Sequence, residues 1–410
     1  MSDKEIYKKA LELHAQNQGK ISVNSKIKIK NSKDLSLAYS PGVAEPCRKI
    51  SEDKENSFKY TSRGNMIAVV SSGTAVLGLG DIGPEAAMPV MEGKAILFKQ
   101  FAGLDAFPIC LDTKDPDKIV ETVKFLTPNF AGVNLEDIAA PECFYIEERL
   151  KKETDLAIFH DDQHGTAIVI LAGLFNALEL TEEKLTNSKI VINGAGASAT
   201  ATVKLLRQAG VKSENLIVCD STGIICAGRK EGMNEAKKEL ASMTNPDNIS
   251  GQLDKAVRNA DIFIGLSVGG VMNENMVQNM SEDPIIFALA NPEPEIKPDT
   301  AKKAGAEIIA TGRSDHPNQI NNVLAFPGVL RGALSVRSAD INNEMKLAAA
   351  RAIANLVDDL NTDNIIPHPF QKGIAGEVAL SVAEAAMETG VARINKDQNT
   401  LRKEFDKTTF

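Results

Sequence analysis

Cysteine is scarce. The five present (Cys47, Cys110, Cys143, Cys219, Cys226) are odd in number and form no CxxC pair, so neither a disulfide framework nor a zinc ribbon is implied. A reducing cytoplasm is the expected setting. Long hydrophobic runs are missing as well, because Gly or a charge breaks every window before the roughly 18 apolar residues of a membrane span. Basic charge is in deficit, with 46 Lys and Arg against 55 Asp and Glu for a net charge of -9. A chain so balanced is not drawn by its overall field to nucleic acid or to an anionic membrane. The small basic run Lys26, Lys28 and Lys30 reads as a solvated strand edge. The opening MSDKEIYKKALELHAQ is a charged amphipathic helical pattern, without the apolar core of a signal peptide or the Arg-rich character of a transit peptide, so no export is expected. No repeat at solenoid periods and no low-complexity block is found.

What is present is an ordinary globular composition, 43% hydrophobic and 25% charged, over a length of 410 residues that suits two or three domains. Short apolar runs ending in Gly, Asp or Asn alternate with helical patterns, the signature of parallel sheets. In the first half they are MIAVVSSG (66–73), AILFKQFAG (95–103), AFPICLD (106–112), AGVNLED (131–137) and LAIFHDD (156–162). In the second they are KIVING (189–194), NLIVCD (215–220), ADIFIGLS (260–267), PIIFALAN (284–291) and AEIIATG (306–312). The reading is an α/β protein of two domains, an N-terminal α/β domain over 1–163 and a doubly wound, Rossmann-type domain over 164–390. The boundary falls near 160–165, where GTAIVILAGLFNALEL begins a long apolar helix, and 391–410 forms a polar tail expected as a surface or interface helix.

After the strand KIVIN comes Gly194-Ala195-Gly196-Ala197-Ser198-Ala199 and then an uninterrupted helical pattern. Gly194 permits a tight turn, Gly196 lets the backbone approach a pyrophosphate, and Ala199 lets the helix pack closely, while the helix N-terminus offers unpaired N–H groups. A lone GxGxxA is weak, since it also fits any tight turn in a doubly wound sheet, but here strand, turn and helix come in the required order. The next strand ends at Asp220, placed to accept hydrogen bonds from adenosine ribose hydroxyls. Ser221-Thr222-Gly223 offers no base for a 2′-phosphate, so NAD is expected ahead of NADP, with Arg229 and Lys230 close enough in sequence to swing in.

Two acidic doublets end strands of the first domain, Glu136-Asp137 and Asp161-Asp162. Neighbours in a strand point to opposite faces, so only a chain leaving the strand can turn both toward one point. Taken alone, each doublet is an ordinary strand terminator or helix cap. Converging carboxylates would repel unless a cation sat between them, and oxygen donors without Cys or His favour Mg²⁺ or Mn²⁺. Two candidates for proton transfer remain. Tyr39 lies in a Ser-Pro-Gly turn, where a tyrosine is ordinarily half-buried packing. Lys94 follows PEAAMPVMEG, with Gly93 read as a helix cap, and opens the strand AILF, where a lysine is ordinarily solvent-facing. Drawn beside a metal cation its pKa would fall and it could act as a base, whereas Lys99 would face the other way. None of the five histidines forms an HExxH or a Ser-His-Asp order, and His160 and His164, flanking the second doublet, read as supporting groups.

Taken together, YSPGVAEP (39–46), VLGLGDIGPEAAMPVMEGKAILF (76–98), NLEDI (134–138), FHDDQHGTA (159–167), INGAGASA (192–199), ALANPEPEI (288–296) and NNVLAFPGVLRGAL (321–334) resemble the malic enzymes, in their short prokaryotic form. The resemblance implies oxidative decarboxylation of malate, with Tyr39 as general acid and Lys94 as general base. It implies Glu136, Asp137 and Asp162 as metal ligands, Asp161 in support, Asn291 and Asn321 near substrate or nicotinamide ribose, and Gly194 to Ser198 on the pyrophosphate. A homodimer or dimer of dimers is expected. The position of the long-form substrate arginine is Ala75, which leaves Arg313 or another subunit to hold the second carboxylate. No additional acyltransferase-like domain follows, so no acetyl-phosphate chemistry is expected. A malolactic reaction releasing lactate and a catalytically silent dinucleotide-binding regulator are the alternatives.

Overall fold

In the computed structural model, which describes residues 3–76 and 78–406, the chain builds two sheets. The first holds β1 (Met66–Ser71), β2 (Asp105–Cys110), β3 (Gly132–Leu135) and β4 (Ala157–His160), all parallel, in spatial order β2-β1-β3-β4. Strands β3 and β4 are buried along their whole length, as suits a parallel sheet covered on both faces, with Asn134 and His160 the polar residues in them. The second holds β5 (Ile190–Asn193), β6 (Leu216–Asp220), β7 (Gly223–Ile224), β8 (Ile262–Gly265), β9 (Ile285–Ala288) and β10 (Ile308–Thr311). Its order is β10-β9-β8-β5-β6-β7, with only β7 antiparallel. Strand order reverses between β5 and β8, so a crevice opens outside their carboxyl ends.

Nine of the ten runs read as strands form strands. AILFKQFAG does not: Pro84–Ala102 is one helix, with Gly93 inside it and Gly103 as its left-handed cap at φ 66. The buried residues Ala87, Met91, Lys94, Ala95, Phe98 and Ala102 recur at helical spacing, a stripe that a four-residue apolar run conceals. Gly93 serves a close approach instead of a cap, since a Cβ there would lie 3.3 Å from Lys20 Nζ. Lys20 is tied to the same helix, its N–H donating to Glu92 at 3.0 Å and its Nζ to the Pro89 carbonyl at 2.6 Å. Residues 20–31 contain no strand, so Lys26, Lys28 and Lys30 sit exposed on an extended segment instead of a sheet edge.

The long apolar helix, Asp161–Leu180, begins at the second acidic doublet and is buried nearly all round. The chain then returns to the first sheet. Phe326, opening the helix Phe326–Ser335, meets Phe98 edge-on at 4.7 Å, and Leu330 and Leu334 lie over β3 at Gly132, where a Cβ would crowd Leu334 at 3.0 Å. One apolar core therefore runs through both halves, from Ile67 and Phe159 to Ile190 and Phe287. The helix Gln398–Asp406 docks through the buried Leu401 and Phe405, with Glu404 on Arg331 at 3.0 Å. The last four residues of the expected tail lie outside the described residues. Phe326→Ala, which opens this shared core beneath Lys94, should destabilise the protein by about 3–5 kcal/mol in urea unfolding followed by circular dichroism. A loss under about 1 kcal/mol would mean the two halves are not packed through this ring.

Candidate active site

Strands β3 and β4 are neighbours with Leu135 paired to His160, so the two acidic doublets leave the sheet side by side. The alternation that would part Glu136 from Asp137 is undone by the backbone of Asp137, which takes φ 51 in the left-handed region that non-glycine residues rarely enter. Three contacts hold it there. The N–H groups of Thr74 and Ala75 both donate to the Asp137 carbonyl at 3.1 Å, and the Asp137 N–H donates to Asp162 Oδ2 at 2.8 Å. Gly73, at φ 66, is required for that loop because a Cβ would fall 2.2 Å from the Gly83 carbonyl. The result is one oxygen from each of Glu136, Asp137 and Asp162 within 4.8 Å of one another.

Lys94 reaches this cluster from the Pro84–Ala102 helix. Its Nζ lies 2.7 Å from Asp161 Oδ2 and 2.9 Å from Glu136 Oε1, over the Phe326 ring at 4.2 Å, and its side chain is 8% exposed. Asn322 donates to the same Asp161 oxygen, and Asn134 donates to Glu136 at 2.7 Å. Lys99, about 140° further round the helix, points out to Asp105 at 2.7 Å, so only one of the two lysines faces the cleft.

Burial pushes the Glu136 carboxyl well above its usual range; Lys94 pulls it back, and Asp162, Asp161 and Asp137 add to the rise. Burial likewise lifts Asp161 to about 6 against the pull of Lys94. Asp162 moves the other way: burial, the largest influence, raises it, but the hydrogen bond and charge of His160, the Lys94 charge and the Asp137 N–H together outweigh burial and lower it. For Lys94 burial favours the neutral amine, yet Asp161 and Glu136 together prevail and hold its proton above the ordinary lysine range. Two carboxylates facing the amine thus outweigh its burial. His160 meets Asp162 at 3.2 Å, and His164 bonds Glu147 at 2.7 Å. Both support the cluster without joining its three clustered oxygens.

Other expected residues are placed differently. Tyr39 is 68% exposed between the helices Ser32–Ala38 and Ala44–Glu52, and its hydroxyl makes no hydrogen bond among the described residues, so the turn leaves it bare instead of half-buried. Asn291 follows β9 beside Gly312 and Gly78, whose added Cβ atoms would lie 2.7 Å from its Nδ2 and 3.4 Å from its carbonyl oxygen. It therefore stands where the loop after β1 meets the second sheet. Asn321 spends its side chain on a cap, accepting the Val323 N–H at 3.0 Å. Its neighbour Asn322, passed over in the sequence, is the one that touches Asp161. The Asn-Asn pair was the available signal. Arg313 is engaged by Asp315 at 2.8 and 2.9 Å and by the Pro292 carbonyl at 2.8 Å.

At the switch point Gly194 takes φ 135, and a Cβ would lie 2.3 Å from the Leu266 carbonyl, so no other residue fits. An added Cβ at Gly196 meets nothing, leaving open the approach to Ala195, Ala197 and Ser198 at the start of the helix Ala197–Gln208. Buried Glu295, also missed in the sequence, ties the ends of β8 and β9 by accepting the Ser267 N–H at 2.9 Å and the Ala290 N–H at 3.0 Å. Asp220 does end β6, but its carboxylate is taken: Arg229 grips both oxygens at 2.7 and 2.5 Å and Lys237 lies at 2.7 Å. Burial raises its pKa, and these partners overcome that and hold it at about 2. The Ser221–Gly223 turn supplies no base, as expected, but Arg229 does swing in from beyond it, and Lys237 comes where Lys230 was the other candidate.

A model of the malic enzyme N-terminal domain matches residues 16–151, and one of the malic enzyme NAD binding domain matches 163–389. The bifunctional malic/malolactic enzyme of Bacillus subtilis is 60% identical over 99% of both chains. The NAD-dependent malic enzyme of Geobacillus stearothermophilus is 55% identical over 92% of this chain and 78% of its own, and other matches carry the name NADP-dependent malic enzyme. The crystal structure of the malic enzyme from Pyrococcus horikoshii superposes with a TM-score of 0.95 at 47% identity, covering 98% of this chain and 96% of that one. With two parallel sheets, a carboxylate-lysine cluster at the edge of one and a dinucleotide crevice in the other, the chain belongs to the malic enzyme family.

Proposed function

We propose that the protein oxidises and decarboxylates (S)-malate to pyruvate and CO₂ with reduction of NAD(P), in dependence on a divalent cation, and that it also decarboxylates oxaloacetate. The observation that carries this is the convergence of Glu136, Asp137 and Asp162 within 4.8 Å beside the buried amine of Lys94. An oxygen-only donor set suits Mg²⁺ or Mn²⁺, and a dication would relieve the repulsion that lifts Glu136. When bound, the cation supplies polarisation of the malate C1 carboxylate and C2 oxygen, and NAD(P) on Gly194 to Ser198 supplies the hydride acceptor.

The chain's own groups divide the protons. Lys94, in the neutral form that a cation on Glu136 would favour by drawing that carboxylate's charge away from the amine, takes the C2 hydroxyl proton, with Asp161 orienting its Nζ. Tyr39, whose phenol is unspent, returns a proton to C3 once CO₂ has left. Asn291 and Asn321 meet substrate or the nicotinamide ribose. Residues 1–163 carry the metal and proton groups, 164–390 the dinucleotide, and 391–410 the tail. Exposed Leu11, Val23, Ile27 and Leu37 on the N-terminal segment fit cover by a second copy, in a homodimer or dimer of dimers. Five free cysteines and the lack of any described helix long and apolar enough to cross a membrane support a cytoplasmic enzyme.

Mixing the protein with malate, NAD or NADP and Mn²⁺ tests the reading by the absorbance of reduced nicotinamide. A second reading, release of lactate with the nicotinamide retained, is favoured by the name of the Bacillus subtilis relative. Lactate without free reduced nicotinamide would select it. Asp162→Asn should weaken Mn²⁺ binding, read by electron paramagnetic resonance, at least about tenfold while NAD binding stays as it was. Unchanged Mn²⁺ affinity would remove the site. Tyr39→Phe should slow enolpyruvate tautomerisation more than malate oxidation, and Lys94→Ala should do the reverse. Equal losses in both half-reactions would show the two roles are not separate. For the cofactor, Arg229 and Lys237 bring two positive charges to the single charge of Asp220, so the enzyme should accept NADP as well as NAD. Arg229→Ala should then lower kcat/KM for NADP about tenfold or more and leave NAD within about threefold; equal loss with both would contradict it.

A further inference from the structure

Behind the carboxylate cluster a second polar chain leads away from the proposed chemistry. His160, bonded to Asp162, meets Gln163 Nε2 at 2.6 Å, and Gln163 donates to Glu147 at 2.9 Å. Glu147 is further occupied by His164 at 2.7 Å and Lys151 at 3.1 Å. Beyond this wall a cavity of about 770 Å³ opens among the helices Glu142–Glu153, Asp161–Leu180, Ala197–Gln208, Glu235–Met243 and Asn343–Ala354. None of the three clustered carboxylates lines it, and neither does the Gly194 to Ser198 loop.

Its cations outnumber the carboxylates free to answer them. Lys151, Lys204, Arg207 and Lys346 all line the cavity. Glu147 is spent on the wall, Glu148 pairs with Lys152 outside the lining set, and Glu239 meets Lys204 at 2.8 Å in an exposed pair of the kind that contributes little. Asp340 stands 3.7 Å from Lys151. Among the described residues the Arg207 guanidinium donates to the Val211 carbonyl, at 3.1 Å, and to no carboxylate. Lys346 is the anomaly. It is 5% exposed, yet among the described residues its side chain makes no hydrogen bond and no ion pair. Burial, with Lys151 adding to it, brings its ammonium down to about 7 against the weaker pull of Glu147 and Asp340. A buried amine without a partner is costly to keep unless something pairs it. Phe144, Ala167, Ala201 and Leu205 complete an apolar floor that would strengthen such a pairing.

We propose that this cavity is a binding site for a small polyanion carrying phosphate or carboxylate groups, held by Lys346 and Arg207 with Lys151 and Lys204 at its sides. Its volume lies within the range of small-molecule pockets and exceeds what a single inorganic ion fills. None of the groups proposed above for malate or the dinucleotide lines it, so the inference does not rest on that reading.

The test uses the full chain with saturating NAD, which keeps the dinucleotide loop filled, and two probes, inorganic phosphate and tricarballylate, at constant ionic strength. Saturable binding of either probe by calorimetry, with a matching rise in the thermal midpoint, is the expected result, and the tighter probe names the favoured group. Lys346→Met should weaken that binding about tenfold or more, and its midpoint without anion should be no lower than that of the unmodified protein, since a side chain of similar length replaces a buried charge. Arg207→Ala, at an exposed position that leaves the core intact, should also weaken binding and decides the matter if Lys346→Met fails to fold. No saturable binding of either probe would overturn the proposal. So would binding that survives in the folded variants with unchanged affinity, because the anion would then sit elsewhere.

Discussion

The buried pairing of Lys94 with Asp161 and Glu136 is the interaction on which the rest of the structure depends. Three charges taken out of water are tolerated only when each finds a partner in good geometry, and removing one leaves the others uncompensated at a cost of several kcal/mol. The Pro84–Ala102 helix must therefore hold its register to within a fraction of a turn. Phe98 on that helix, the Phe326 ring beneath the amine and the Gly103 cap all serve that end. Because Phe326 belongs to a helix that follows the second sheet, Lys94 is fixed by chain from both halves.

The second sheet carries a different balance of charge. Around Asp137 the backbone is bent to bring anions together, which leaves a demand for positive charge. At the far end of the dinucleotide crevice Asp220 is already answered by Arg229 and Lys237, leaving positive charge in excess. Between them Glu295 locks the ends of β8 and β9 through two backbone N–H groups, and Gly265 is required there because a Cβ would lie 2.3 Å from that carboxyl carbon. The carboxylate cluster and the surroundings of Asp220 thus carry opposite local excesses of charge.

Much of this was legible in the sequence because parallel strands and glycine turns are local. Each run from KIVING to AEIIATG became a strand, and the positive φ of Gly194 follows from the strand-turn-helix order alone. The acidic doublets were recognisable as a pair, and their convergence needed only a chain leaving its strand, which Asp137 supplies. The misread elements share a non-local cause. AILF looks like a strand until the buried stripe from Ala87 to Ala102 is seen against Phe326. Arg229, nine residues past Asp220, was within reach in the sequence, but Lys237, seventeen past it, takes the place expected of Lys230, and nothing in the intervening composition says that it folds back. Which of Asn321 and Asn322 faces the carboxylates is decided by a cap, a matter of one backbone N–H. Lys346 carries no sequence signal at all, since its isolation is produced by five helices closing around it.

The account's central claim is that Glu136, Asp137 and Asp162 form one cation site beside Lys94. Crystals soaked in Mn²⁺ and measured near the manganese absorption edge test it directly. The account predicts a single strong anomalous peak about 2.1 Å from one oxygen of each of the three residues, the spacing of an oxygen-bound hard cation of this size. No peak among these carboxylates, or a peak elsewhere while Lys94 stays locked between Asp161 and Glu136, would contradict it.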